Sequence, residues 1–493
     1  MPPRTRSVAP QSLLGQRFPA RASTLAGAFC GPDRGSGAGR RSRVERREGR
    51  GRMTNHLDRS GRPRATVYPA SLTQSRLIKG RHAPGGPPAQ IVGTHLLIRG
   101  PLDVDRLRDA LIGLVRRHTI LRTNYAFAES GEVLAIVHPG EGPDVFTIAP
   151  ATGMSDEDEI RKHVSDVLDD ATQRFTTPDR HTMLQAILIP HTPGVHSLLL
   201  VIDHIAIDER SRAVLQRDLA TLYAGRSEDL DEPYAYDSSA VRNTFPSVED
   251  SPEILDLLTP LPPRFLTDLE VEATRPVVTE GLLGPEISAR MGTAAKRLGC
   301  TRFIINVTAL LWALKQLSGT DDVGLVTAVD TRRRPQDFDT VGFFQNLIFL
   351  RSRSPRSAGL RRTFEECRTL VRDSLRRRDY PIASLIAHAA GKREGGACRS
   401  PLYQVVLAYA REDVDLHWTL DGVDVRAVEL DHPQASIELL IFVTESPSDT
   451  NALLIGAADV LGADDLHRLL TLWRDAVGEL TRDGSTDPVG ARA

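Results

Sequence analysis

Apolar positions are unevenly spread along this chain. Residues 1–60 are rich in Arg, Gly, Ser, Ala and Pro with no sustained apolar period, and organised patterning begins near Tyr68. A short apolar run at 91–98 predicts a strand. Gly100-Pro101-Leu102-Asp103 then predicts a turn and a helix start, because an Asp side chain accepts from the free amides of a first helical turn. Val104, Leu107, Leu111, Leu114 and Val115 follow at helical spacing, and Arg116-Arg117-His118 places cations at the negative end of the helix dipole. A helix over 155–171 is polar on most faces and is expected at the surface.

Leu198-Leu199-Leu200-Val201-Ile202 is continuously apolar, which predicts a strand covered on both faces. It runs into Asp203-His204-Ile205-Ala206-Ile207-Asp208-Glu209, and helical spacing resumes over 210–224. Residues 225–270 combine acids, Ser and Pro with weak periodicity and read as a connection. The second half repeats the style. An apolar helix at 301–317 is followed by a strand at 323–329 and a helix at 360–376. Strands near 403–410 and 436–444 precede an amphipathic helix at 463–481. No fixed-period repeat appears, so the expectation is a two-lobed α/β or α+β protein. The boundaries expected are an Arg-rich disordered extension at 1–64, a first lobe at 65–235, a connection at 236–270, a second lobe at 271–485 and a tail at 486–493. Met53 stands just ahead of the organised sequence and is a candidate true start.

Charge sharpens this division. Residues 1–64 hold 15 Arg, no Lys and four acids, a net of +11, and the whole chain is -2, so the remainder carries about -13. So acidic a body is not a nucleic-acid footprint. No run of 18 apolar residues is present, which excludes a helical membrane span. Cys30, Cys300, Cys367 and Cys398 are scattered without metal-ligand spacing, as suits a reducing cytoplasm.

Candidate chemistry centres on His204. It follows a buried strand, where open sheets expose reactive groups, and sits among Asp203, Asp208 and Glu209. A neutral imidazole is the natural base near pH 7. Asp208 can partner the imidazole, or turn back into the fold and pair with an Arg of the Asp330-Thr331-Arg332-Arg333-Arg334-Pro335 turn. Metal binding by Asp203, His204 and Asp208 lacks a second His-rich stretch to complete it. No G-x-S-x-G elbow, phosphate-binding loop or H-E-x-x-H helix occurs.

These residues resemble the condensation domains of nonribosomal peptide synthetases, within the chloramphenicol-acetyltransferase-like superfamily. The motifs appear in the family's order over about 65–485. Pro69-Ala70-Ser71-Leu72-Thr73-Gln74 is similar to its opening element. The helix ending in His118, with Leu121-Arg122-Thr123, is similar to its second. Asp203-His204-x-x-x-Asp208-Glu209 stands where the family has H-H-x-x-x-D-G. Arg332-Arg333-Arg334-Pro335 followed by Val341-Gly342-Phe343-Phe344-Gln345-Asn346 resembles R-x-R-P…V-G-F-F-V-N. Tyr380-Pro381-Ile382 and Pro401-Leu402-Tyr403-Gln404-Val405 match two later elements.

The resemblance implies two similar lobes forming a V with a central tunnel and His204 as the catalytic residue. It implies Asp208 as a structural partner of Arg332, with Arg334 as runner-up, and places Gly342 and Asn346 at the substrate channel. No metal or enzyme-bound cofactor is implied; 4'-phosphopantetheine arrives on a peptidyl or acyl carrier protein, or as coenzyme A. The implied reaction is acyl or aminoacyl transfer from that thioester to a small-molecule amine or hydroxyl acceptor, in antibiotic-type secondary metabolism. The absence of adenylation and carrier signatures suggests a free-standing enzyme. A coenzyme A-dependent O-acyltransferase and a non-catalytic recruitment domain are the alternatives. Two positions depart from the pattern. Asp203 replaces the first His and can raise the imidazole pKa or reorient the ring, and Glu209 replaces Gly and can narrow the channel or hold a cationic acceptor.

Overall fold

The structure, a computed structural model, describes residues 65–82, 89–139, 145–174, 182–236, 245–263, 265–266, 276–391, 402–411, 418–428, 430, 437–446 and 448–482. The extension at 1–64, the tail at 486–493, Pro401 and parts of the 236–270 connection lie outside them.

The first half builds β1 (Thr66–Pro69), α1 (Leu72–His82), β2 (Ile91–Arg99), α2 (Val104–Arg117), β3 (Thr123–Phe127), β4 (Val133–Val137), β5 (Phe146–Ile148), α3 (Glu157–Arg174), β6 (Leu184–Pro190), β7 (Val195–Asp203) and α4 (Glu209–Tyr223). Asp103 caps α2 as its sequence predicts, accepting from the Arg106 amide at 3.0 Å. β7 lies between β2 and β6, and its continuous apolarity has a clear cause. Leu198, Leu200 and Ile202 join one core with Leu107 and Leu111 of α2 and Leu215 and Leu219 of α4. Leu199 and Val201 face the other way, onto Ile160, Val164 and Leu168 of α3. Helix α3 is therefore a surface helix with one buried stripe.

The second half contributes α5 (Pro252–Leu258), β8 (Pro276–Leu282), α6 (Pro285–Leu298), α7 (Arg302–Ser318), β9 (Val323–Asp330), β10 (Gln345–Ser352), α8 (Gly359–Arg376), α9 (Ile382–Gly391), β11 (Val405–Arg411), β12 (Asp424–Val428), β13 (Leu439–Glu445), β14 (Thr450–Ala457) and α10 (Ala463–Thr481). Its sheet has the order β10-β9-β11-β13-β14-β8. Helices α6, α7, α8 and α10 pack on one face, and α5 and α9 on the other. Helix α6 escapes a reading by apolar spacing because its buried stripe is Ser288, Met291, Ala294, Ala295 and Leu298, mostly small residues.

The two lobes are not cleanly divided along the chain. Val341, Phe343, Phe344, Trp418 and Leu420 belong to the core of the first lobe. Strand β12 crosses over and pairs antiparallel with β2, from Asp424 opposite Arg99 to Val428 opposite His95. The first-lobe sheet thus runs β12-β2-β7-β6-β5, with an edge strand from the other half.

Gly342 lies inside this seam, packed against Tyr236. A Cβ there would sit 2.0 Å from the Tyr236 ring. Tyr236 is fully buried, its hydroxyl donates to the Phe343 carbonyl at 3.1 Å, and its own carbonyl accepts from Tyr68 at 3.0 Å. Gly342→Ala is expected to destabilise the fold by about 1–3 kcal/mol through overpacking, measured by denaturant unfolding; an unchanged midpoint contradicts this packing.

Candidate active site

The site is assembled around the turn after β7. Helix α1 begins with a reciprocal cap: the Gln74 amide donates to Ser71 Oγ and the Ser71 amide to Gln74 Oε1, each at 3.2 Å. That cap is why Ser and Gln stand three apart in the opening motif. It also aims Gln74 Nε2 inward, where it donates to the Ile205 carbonyl at 2.9 Å and the Tyr125 hydroxyl at 2.8 Å. The short 3-10 turn His204–Ala206 is thereby tied to α1.

His204 is 7% exposed. Its amide donates to the Gln90 carbonyl at 2.9 Å, and its ring nitrogen Nδ1 lies 2.9 Å from the Ile207 carbonyl. A carbonyl only accepts, so Nδ1 carries the proton and Nε2 is the basic nitrogen. Burial pulls the imidazole below its usual 6.5, against the opposing pull of the Ile207 carbonyl and of Asp203 and Asp208, so the ring is neutral near pH 7. The Phe343 ring meets it edge-on, centroids 5.4 Å apart.

Asp208 does not face the imidazole as a dyad partner; its oxygens are committed elsewhere. It caps α4, accepting from the Ser211 amide at 2.9 Å and hydroxyl at 2.7 Å. Arg332 grips it with two prongs, at 2.7 Å and 2.9 Å, and the Phe344 amide donates at 3.0 Å. The Arg332 guanidinium lies over the Phe344 ring, 4.2 Å from its centroid. Arg334 is not the partner: its side chain is half-exposed and binds Asp337 at 2.7 and 2.9 Å.

Asp203 does not reorient the imidazole. Both its oxygens are held by Arg81 at 2.7 and 2.8 Å, and the Ile205 amide adds a bond at 3.1 Å. Glu209 is the first residue of α4, and its side chain is 50% exposed and 3.5 Å from Arg212. Helix geometry carries it outward.

Three cavities adjoin at this point. A small one of about 20 Å³ holds His204 with Thr73, Leu77, Phe343, Asn346 and Tyr403. It shares Thr73, Phe343, Gln345 and Asn346 with a larger opening of about 350 Å³, which also carries Arg333, Arg334 and Asp379. It shares Leu347 and Ile382 with an apolar recess of about 30 Å³ between β10, α5 and α9. Asn346 therefore stands on the walls of two of them. Its Nδ2 donates to the Arg378 and Tyr380 carbonyls at 2.7 and 2.8 Å, and its buried Oδ1 has no hydrogen-bond partner. Sequence reading missed Arg81, whose partner lies 122 residues away, and the cavity residues Phe343 and Tyr403. Among the described residues no group of three or more His, Cys, Asp or Glu is placed to hold a metal ion, and no single helix is long and apolar enough to cross a membrane.

Residues 64–244 match the family model Condensation domain. The chain is 25% identical over 454 residues to Chondramide synthase cmdD of Chondromyces crocatus, covering 89% of this chain and 11% of that synthase's length. Its fold is similar to the X-domain in the solved complex of the X-domain and OxyB from teicoplanin biosynthesis, with TM-score 0.68, 19% identity, and 88% and 97% of the two chains covered. It is also similar to the first condensation domain of the CDA synthetase, with TM-score 0.63, 21% identity, and 86% and 98% covered. The likeness to nonribosomal peptide synthetase condensation domains is thus shown in sequence and in fold.

The pair at the seam has a measurable weight. Arg332→Met leaves the buried Asp208 carboxylate without its counter-ion and is expected to cost about 3–5 kcal/mol in denaturant unfolding. Arg334→Met, at a half-exposed pair, is expected to cost about 0–1 kcal/mol. Equal costs would reverse the assignment of roles.

Proposed function

We propose that this chain is a condensation enzyme. It transfers an acyl or aminoacyl group from a carrier-protein pantetheine thioester to an amine or hydroxyl acceptor, in nonribosomal peptide-type biosynthesis. The observation that carries this reading is the neutral His204 on the wall of a small cavity, lined from both halves of the chain, that adjoins two others. With Nδ1–H committed to the Ile207 carbonyl, Nε2 accepts the proton of the acceptor as it attacks the thioester carbon. The C–S bond then breaks and the pantetheine thiol leaves protonated. Bringing donor and acceptor together beside His204 would add proximity beyond the proton transfer itself. No covalent acyl-enzyme is needed, because the two substrates meet directly. Arg332 and Asp208 serve as scaffold. Asn346, with an unpartnered Oδ1 at the junction of two chambers, is placed to accept from an incoming N–H or O–H group.

Free acyl-coenzyme A is the alternative donor, distinguished by whether product forms without a carrier. A second reading, partner recruitment without turnover, is favoured by Asp203 and Glu209 in place of the motif His and Gly and by the fold shared with an X-domain solved in complex with OxyB.

His204→Ala, incubated with loaded carrier proteins and read by intact mass, is expected to lower turnover about 10²–10⁴-fold; unchanged product formation overturns the assignment. The pH dependence has a definite sign. Only the neutral ring acts as base and its pKa lies below 6.5, so the acid limb of kcat/KM is expected below pH 6.5. The same shift means the unfolded state takes up more protons, so stability is complete above pH 6.5 and falls as the pH drops toward the folded value. A rate limb at or above pH 7 in the free enzyme excludes His204 as that base.

A further inference from the structure

We propose that Arg81 is a positioning residue for His204: its guanidinium occupies both oxygens of Asp203 and keeps that carboxylate from pairing with the neighbouring imidazole. The inference rests on the reading of His204 as the transfer base, while its test is independent of turnover.

An Asp immediately before a catalytic base is a hazard. A carboxylate free to swing beside the ring favours the imidazolium, which cannot accept a proton. Here the side chains of Arg81 and Asp203 are 4% and 1% exposed, so the charge is not spread into water. Two parallel contacts of 2.7 and 2.8 Å fix the plane of the carboxylate as one contact would not. The Ile205 amide takes a third place on Asp203 Oδ1 at 3.1 Å. No oxygen of Asp203 is left without a partner to turn toward His204.

Arg81 also belongs to the same clamp as Gln74. The two stand seven residues apart on α1, two turns along one face. Gln74 holds the Ile205 carbonyl and Arg81 holds Asp203, so α1 grips the turn on both sides of His204. Among the described residues, the other carboxylate beside the ring is also held. Asp208, across the turn, is held by Arg332 and the Phe344 amide. From α1 the cavity wall offers Thr73 and Leu77, and from the second lobe Phe343, Gln345, Asn346 and Tyr403, none of them charged near pH 7. Asp203 is therefore the carboxylate whose release would change the state of the base, and Arg81 controls it.

The test is NMR titration of histidine-labelled protein, with His204→Ala identifying the resonance among the 14 His of the chain. In the wild type His204 is expected to stay neutral to below pH 6.5. Arg81→Met is expected to raise its titration midpoint by about 1–3 on the pH scale. Arg81→Met combined with Asp203→Asn is expected to bring the midpoint back, because the carboxylate is gone. Arg81→Lys is expected to fall between. A folded Arg81→Met protein with an unmoved midpoint overturns the proposal. If Arg81→Met does not fold, Arg81→Lys decides in its place, and an unmoved midpoint there overturns it equally. Failure of His204→Ala to affect transfer would remove the base assignment alone, leaving the titration result as it stands.

Discussion

One carboxylate sets the registry of this molecule. Asp208 accepts hydrogen bonds from the Ser211 amide and hydroxyl, from two nitrogens of Arg332 and from the Phe344 amide, all between 2.7 and 3.0 Å. It therefore caps α4, closes the turn bearing His204, and anchors the loop that leads into β10. Arg332 lies 124 residues further along, so the pair fastens the second lobe to the first. A buried ion pair is weak evidence for net stability, since desolvation offsets much of its attraction. Its value here is geometric. Phe343, set by the same loop, lies edge-on to the imidazole because the neighbouring Phe344 amide is tied to Asp208.

Much of this was legible from the residues. The apolar run of β7 betrayed a strand covered on both faces, and Asp103 marked the start of α2, because both signals are local. The ordered motifs pointed to the fold and to the pairing of Asp208 with Arg332. What failed to show was long-range or directional. Arg81 carries no mark of its partnership with Asp203, since nothing within α1 distinguishes it from Lys79. Glu209 stands at the first position of α4 with its side chain half-exposed, and Gly342 admits the ring of Tyr236; neither contact could be read from a motif. Asn346 was placed near the channel by its motif, and it stands on two cavity walls.

The chamber combines these constraints. Desolvation keeps the imidazole neutral, the Ile207 carbonyl selects which nitrogen is basic, and both neighbouring acids are bound to arginines. An apolar wall from Leu77, Phe343 and Leu347 lowers the local dielectric, so each remaining polar contact counts for more. Charge near the imidazole is thus present in quantity but compensated pair by pair.

The crossing of β12 reaches beyond sheet topology. The second half of the chain lends an edge strand to the first, so β2 is shielded by a segment attached to the opposite lobe. A chain cut after the connection would expose β2 as an open edge and strip Trp418 and Leu420 from the core. The halves are consequently one cooperative unit despite their separate sheets. The side of the molecule that carries β12 is thereby stitched shut by backbone hydrogen bonds between the two halves.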